Sequence, residues 1–247
     1  MPASYQRPRS LKPVVTHYCG GCGHGVAHKL LAELIDEMGI GERTIALAPV
    51  GCAVLLYCYL DVDCSEAAHG RTPAVATGLK RARPDCIVIS YQGDGDLAAI
   101  GTAEIIHAAN RGENFTTIFI NNAVYGMTGG QMAPTTLEGQ RTATTPLGRR
   151  SATEGPPLRV CELLANFERV AYLARTTVTS PRAVRVTRQA IKRGIEAQAE
   201  GRGFSLIEIL APCPTYWRLA PLASFTFIDE TMTKTFPLGV FRDYGSG

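Results

Sequence analysis

Two short segments constrain this chain most: residues 86–91, CIVISY, and residues 116–120, TTIFI. Both are β-rich and lack the polar–apolar alternation of a half-exposed strand, so each reads as a strand buried on both faces. Such a strand needs covering layers above and below, and helical patterns supply them. Val26, Leu30, Leu31, Leu34, Ile35 and Met38 fall on one face at helical spacing. Residues 73–82 read as a helix with Pro73 in its first turn. Residues 97–110 read as another, 160–166 as a weak one and 181–200 as a long one. Further strands are expected at 44–48, 170–174 and 204–210. The alternation implies an α/β fold: a doubly wound, mostly parallel sheet with helices on both faces.

The 247 residues suffice for one large domain of this kind or two small ones. We expect an α/β domain over 17–213, preceded by an N-terminal extension (1–16) and followed by a Pro- and aromatic-containing arm (214–247). The Thr-, Gly- and Pro-rich stretch 122–158 is too long for an ordinary connection and reads as functional or partner-covering. A 45% hydrophobic and 19% charged composition excludes disorder as the main state, and a formal charge of +3 gives no case for nucleic acid. The polar start, residues 1–13, shows no secretory signal. The uncharged stretch 45–60 is shorter than the roughly 20 residues of a membrane span. Pro49 and Gly51 also interrupt it, so it reads as a strand and a loop. We expect a cytoplasmic protein with no membrane partner. Its eight cysteines would be reduced, with some free to bind metal.

In doubly wound folds, ligands sit beyond the carboxyl ends of the strands. Four unusual segments leave that edge: Pro49-Val50-Gly51-Cys52, Gly93-Asp94-Gly95-Asp96, Asn121-Asn122 and Pro212-Cys213-Pro214. Together they point to one site. The glycines at 93 and 95 let the backbone turn sharply and approach a ligand. The following helix directs its free N–H groups at the same turn, which suits an anion. Asp94 would repel a phosphate unless a divalent cation bridged the two. A hard cation such as Mg²⁺ takes oxygen ligands of this kind. Its second protein oxygen is expected from Asn121-Asn122, one helix and one strand further on. Either motif alone is a common turn; the pair at this spacing favours a site.

Cys19-Gly20-Gly21-Cys22-Gly23-His24-Gly25 offers two thiolates to one metal centre, and zinc or an iron–sulfur cluster would accept them. Cys52 and Cys213, at the functional strand edge, are the candidates for the remaining ligands. Cys58, Cys64, Cys86 and Cys161 read as structural, the first two less clearly because they lie near Cys52. His17 and His24 read as loop or supporting residues and His107 as a helix residue. Arg149-Arg150 could meet an anionic substrate, although a solvated loop is the simpler reading.

The run GDGDLAAIGTAEIIHAANRGENFTTIFINN resembles the thiamine diphosphate (TPP) signature. The next segment, Tyr125-Gly126-Met127-Thr128-Gly129-Gly130-Gln131, looks like the β subunit of the 2-oxoacid:ferredoxin oxidoreductases, and the similarity runs from His17 to the tail. The resemblance implies Mg²⁺ on Asp94, Asn122 and the Val124 carbonyl. TPP would lie against Gly51, Cys52, Gly93, Gly95, Asp96, Tyr125 and Thr128, with His69 and Gly70 near its diphosphate. A surface loop is the alternative for His69. The resemblance further implies one [4Fe–4S] cluster on Cys19, Cys22, Cys52 and Cys213. The family usually has Pro where this chain has Gly20, which leaves the ligand spacing intact.

The implied activity is oxidative decarboxylation of a 2-oxoacid with coenzyme A (CoA), giving acyl-CoA, CO₂ and reduced ferredoxin. The implied partners are an α subunit that completes the thiamine site and brings its glutamate, together with γ and ferredoxin-like δ subunits. This chain has no ferredoxin-type cysteine run, so electrons would leave through another polypeptide. Ala53-Val54-Leu55-Leu56-Tyr57 carries no cation. If that segment lines the substrate pocket, a branched-chain acid such as 2-oxoisovalerate is favoured over 2-oxoglutarate. Two other readings stand beside this one. The first is a non-oxidative TPP decarboxylase or synthase subunit with structural zinc. The second is an electron-transfer subunit with a cluster and no TPP.

Overall fold

The computed structural model describes residues 6–243. The first five residues of the expected extension, and the last four of the expected arm, lie outside the described residues. In chain order the strands are β1 Thr44–Ala48, β2 Asp63–Glu66, β3 Ile87–Gly93, β4 Thr116–Asn121, β5 Val170–Thr177, β6 Phe204–Leu210 and β7 Gly239–Asp243. The helices are α1 Gly23–Glu37, α2 Leu56–Tyr59, α3 Thr72–Ala82, α4 Thr102–Arg111, α5 Ser151–Glu154, α6 Val160–Leu164, α7 Pro181–Ala199, α8 Pro214–Trp217, α9 Pro221–Phe227 and α10 Thr233–Thr235.

The strands form one sheet in the order β2-β1-β3-β4-β6-β5-β7. All neighbours are parallel except β5 and β7, which are antiparallel. Alternate residues of β3 serve opposite faces. Ile87, Ile89 and Tyr91 join a core with Leu30, Leu34 and Ile35 of α1 and Ile191 and Ile195 of α7. Cys86 and Val88 join the other core, with Ala76 of α3, Ile105 of α4 and Leu164 of α6. The doubly wound α/β arrangement follows from this two-sided burial. Helix α7 is well signalled: the Ser180 hydroxyl accepts from Ala183 N–H at 3.1 Å, and Pro181 opens the helix.

Several details differ from the sequence expectations. The helix expected at 97–110 is split into a wide turn over Asp96–Ile100 and then α4. The break is steric: a Cβ on Gly101 would stand 2.7 Å from the Gly70 carbonyl oxygen, so the 69–71 loop presses into the helix start. Strand β2 was not expected, because Asp63-Cys64-Ser65-Glu66 is polar; as an edge strand it needs no apolar run. Arg149 is neither in a solvated loop nor available to a substrate. It is 3% exposed and donates to the carbonyls of Ala133, Pro134, Thr136, Glu154, Gly155 and Pro156, pinning the long 122–158 stretch to itself. His24 lies in the first turn of α1 rather than in a loop, and Cys58 is exposed rather than packed.

Beyond Cys213 the arm folds back onto the domain. It makes three short helices, adds β7 to the sheet edge and forms a small core of its own from Ile228, Met232 and Phe236 with Ala123, Leu137 and Leu210. Among the described residues, no helix is long and apolar enough to cross a membrane.

Candidate active site

Strands β1, β3, β4 and β6 are contiguous in the sheet, so their carboxyl ends form one rim. The chain leaves β1 toward β2 on one side and leaves β3 toward β4 on the other, which makes the β1/β3 boundary the switch point where a crevice opens. A cleft lies there. Its wall includes Gly51, Cys52, His69, Gly93, Asp94, Gly95, Asp96, Asn122, Val124, Tyr125 and Thr128. Gly70 is not on that wall; its N–H donates to Asp96 at 2.9 Å.

Asp94 is 2% exposed. Its Oδ1 accepts from Gly95 N–H at 2.8 Å, and its Oδ2 accepts from the Thr135 hydroxyl at 2.7 Å and from Val124 N–H at 3.2 Å. Even so, burial pushes its carboxyl up to about 6, above the ordinary carboxylate range. A bound cation would relieve that cost. The Asn122 Oδ1 also meets Val124 N–H, at 3.3 Å, so the side chains of Asp94 and Asn122 converge on one backbone group. Ala123, between Asn122 and Val124, holds φ at +58°, a left-handed turn rarely taken by residues other than glycine. The donor set, a buried carboxylate beside a carboxamide and the backbone of the same turn, suits a hard cation.

Asp96 does something different. Its Oδ1 accepts from Val50 N–H, His69 Nδ1 and Gly70 N–H, and its Oδ2 accepts from the Gln92 carboxamide. Both oxygens are engaged, so Asp96 ties the β1 loop, the 69–71 loop and β3 together. His69 is partly exposed and presents its ring to the cleft, with Nδ1 fixed on Asp96 at 2.7 Å. On the other flank, the Tyr125 hydroxyl donates to the Gly95 carbonyl at 3.1 Å. A Cβ on Gly95 would stand 2.2 Å from that ring, so residue 95 has to be glycine for Tyr125 to lie where it does. Gly95→Ala is expected to displace the ring and, if the cleft takes the thiamine diphosphate that the resemblance implies, to weaken its binding at least about tenfold, equivalent to about 1.4 kcal/mol. Calorimetric titration checks this, and unaltered binding would show that the placement of Tyr125 is immaterial.

Of the four expected thiols, Cys52 lines the cleft and Cys213 lies close to it. A Cβ on Gly126 would stand 3.0 Å from the Cys52 sulfur and 3.7 Å from the Cys213 sulfur, so these two are neighbours. The Cys19–Cys22 turn closes with Cys22 N–H on the Cys19 carbonyl, and the N–H of Gly23 reaches the Pro212 carbonyl at 3.4 Å. A Cβ on Gly23 would press against Ala211 at 2.6 Å, whereas one on Gly20 would meet nothing within 4 Å. The loop therefore docks beside Cys213 and has room for a larger residue at position 20. Burial, with repulsion from the neighbouring thiols, pushes Cys22 up to about 11 and Cys52 and Cys213 up to about 12. A metal bound there would reverse that shift by holding thiolates. Among the described residues, no group of three or more His, Cys, Asp or Glu side chains converges on a single ion. His24 is buried with Nδ1 on the Tyr91 hydroxyl at 2.9 Å, and it lines the cleft.

Sequence reasoning missed three participants. Thr135, inside the long stretch, bonds Asp94; Gly126 separates Cys52 from Cys213; and Trp217 donates its indole N–H to the Asn122 carbonyl at 3.0 Å. The sole tryptophan of the chain could have been noticed, but Thr135 carries no signal that distinguishes it from its neighbours.

Comparison with known proteins places the chain in a family. Residues 49–209 match the family model for the C-terminal TPP-binding domain of thiamine pyrophosphate enzymes. Ketoisovalerate oxidoreductase subunit VorA of Methanothermobacter thermautotrophicus is 51% identical over 97% of this chain and 50% of that one. The 2-oxoglutarate synthase subunit KorB of Archaeoglobus fulgidus is 36% identical over 95% of this chain and 83% of that one. The chain spans about half the length of the VorA relatives it matches. A solved structure of 2-oxoglutarate:ferredoxin oxidoreductase from Magnetococcus marinus, with 2-oxoglutarate, CoA and succinyl-CoA bound, superposes with a TM-score of 0.79. It is 25% identical and covers 100% of this chain and 88% of that one. With that sheet, that cleft and these relatives, the chain belongs to the thiamine pyrophosphate enzyme family, in the branch of the thiamine-binding β-type subunits of 2-oxoacid:ferredoxin oxidoreductases.

Proposed function

We propose that the chain is the TPP-binding subunit of an enzyme that oxidatively decarboxylates a 2-oxoacid with CoA, passing electrons to ferredoxin. The observation that carries this reading is the shared rim. The buried Asp94–Asn122 turn and Cys52 border one cleft, and Gly126 on the same wall lies beside both Cys52 and Cys213. A chemistry that forms a reduced carbon centre and removes its electrons singly needs the two groups close together.

In this reading Asp94, Asn122 and the Val124 carbonyl hold Mg²⁺, and Cys19, Cys22, Cys52 and Cys213 hold a [4Fe–4S] cluster. When bound, TPP supplies the carbanion-stabilising chemistry and the cluster accepts electrons. The chain's own residues do the positioning. Gly93 and Gly95 let the backbone approach the diphosphate, and Asp96 orients the loop that carries His69 and Gly70. With Nδ1 occupied by Asp96, His69 offers Nε2 to the cleft. The cleft encloses only about 100 Å³, less than the roughly 300–1,000 Å³ of pockets that engulf a ligand. The chain thus provides a floor, and we infer an α subunit as the roof, bringing the glutamate of the thiamine site. Ferredoxin, CoA, the γ and δ subunits and a cytoplasmic setting belong to the same proposal.

The Ala53–Tyr57 segment that follows Cys52 carries no cation, and Ala53 lines the cleft. We therefore favour a branched-chain acid over a dicarboxylate. The assembled enzyme is expected to show a kcat/KM for 2-oxoisovalerate at least about tenfold above that for 2-oxoglutarate, a discrimination of about 1.4 kcal/mol. Preference for the dicarboxylate would reject the apolar pocket. Iron, zinc and thiamine analysis of the anaerobically purified complex tests the wider reading. Zinc without iron favours a non-oxidative TPP enzyme, and iron without thiamine favours a pure electron-transfer subunit.

A further inference from the structure

We infer that the C-terminal arm is a working part of the cofactor site, positioning the cation loop 121–124 from behind by two separate routes. The inference rests on the reading that this loop holds the cation of Mg–TPP.

The first route is direct. Trp217, in α8 of the arm, donates its indole N–H to the Asn122 carbonyl at 3.0 Å, and its ring packs on Phe227 of α9. The second route runs through the sheet. Arg175 of β5 is 1% exposed, and its guanidinium lies over the Phe236 and Phe241 rings of the arm at 5.4 and 5.0 Å. The same guanidinium donates to the arm's Pro237 carbonyl at 3.1 Å and to the Glu162 carboxylate. Its Nε lies 2.8 Å from Glu208 Oε2, an ion pair wholly out of solvent. The other oxygen of Glu208 accepts from the Asn121 carboxamide at 2.7 Å. The Asn121 Oδ1 in turn accepts from Ala123 N–H at 3.2 Å. Ala123 carries the positive φ that turns Asn122 toward Asp94, and it is also enclosed by the arm's small core of Ile228, Met232 and Phe236.

A buried ion pair is costly unless every member is satisfied, and a left-handed alanine stores strain. Both are located where the arm reaches the cation loop. The polarity of the hydrogen bonds is also fixed from Glu208 to the cation loop. Arg175 and Glu208 meet as an ion pair, without a hydrogen bond between Nε and Oε2; the carboxylate can only accept, so Asn121 offers its NH₂ to Glu208 and its oxygen to Ala123. A glutamine at 208 would give its oxygen to Arg175 and its NH₂ to Asn121. The Asn121 amide would then have to flip, and Ala123 N–H would lose its acceptor.

Two variants test the inference in the purified complex with its partner subunits: Glu208→Gln, which keeps shape, and Trp217→Phe, which keeps the ring. The probe is Mn²⁺ with TPP, with free Mn²⁺ counted by electron paramagnetic resonance. Each variant is expected to raise the Mn²⁺ dissociation constant roughly tenfold, in the range typical of residues that support ligating ones. The visible spectrum of the cluster and the metal-free melting temperature should stay near those of the parent, and kcat should recover at saturating Mn²⁺. Parent-like Mn²⁺ affinity in both variants would overturn the inference and leave the cofactor reading intact. Loss of affinity that accompanies a lowered metal-free melting temperature and resists added Mn²⁺ would show a merely structural role and also overturn it. A parent complex that binds no Mn²⁺ with TPP would remove the cofactor reading and this inference together.

Discussion

Asp94→Asn is expected to abolish Mg²⁺-dependent TPP binding while leaving the fold intact. The substitution removes the buried negative charge that the proposed site sets against the cation. Asn keeps the size of the side chain and one acceptor for Gly95 N–H. The Thr135 hydroxyl can turn to accept from the new amide, and Val124 N–H still has Asn122 Oδ1. The carboxyl is already pushed up to about 6 by burial, so removing its charge relieves a cost in the metal-free state. The metal-free melting temperature should therefore hold or rise. A residue that merely supports a ligand costs roughly 10–100-fold in affinity, and a direct ligand should cost more. Titration of the assembled complex with TPP and Mg²⁺, read by calorimetry, measures it. Binding within a few-fold of the parent would remove Asp94 from the cation site.

The complementary result is expected from Cys213→Ser. Cys213 is buried beside Gly126 and Cys52 and stands immediately before α8 without a side-chain cap. Serine fits the same space, so the arm should still dock. A hydroxyl at this position stays protonated where a thiolate would ligate, so iron content and visible absorption should fall sharply, and ferredoxin reduction should fall by more than the roughly 10–100-fold of a supporting residue. TPP affinity should be unchanged because Asp94, Asn122 and His69 are untouched. The two variants are expected to separate the two halves of the proposed rim, one losing thiamine and keeping iron, the other losing iron and keeping thiamine. A Cys213→Ser complex with parental iron would place the cluster on other residues and reopen the roles of Cys58 and Cys64.

The same physics explains how far the sequence could be read. The central strands were legible because residues 86–91 and 116–120 lack an exposed face, and a segment of that kind has one stable place, between two helical layers. The site's location followed from topology: parallel strands end on one side, and the four unusual segments all follow strands. The resemblance then assigned chemistry to those segments. The polar edge strand β2 was not legible, since an edge needs no apolar run. The wide turn at Asp96–Ile100 was also hidden, because it is imposed by Gly70 pressing on Gly101 from a distant loop.

The sequence by itself determined the α/β class and the succession of the central strands and helices along the chain, because these depend on local periodicity and on short runs whose members lie near one another. Tertiary structure alone decided which groups work together. Asp96 proved to be a tie between loops, Arg149 a staple for the long stretch, and Thr135 a partner of Asp94. The arm's Trp217 came to rest on the Asn122 carbonyl from 95 positions away. Contacts of that range are fixed by how the layers pack, and a polar side chain able to make them looks along the chain like any other.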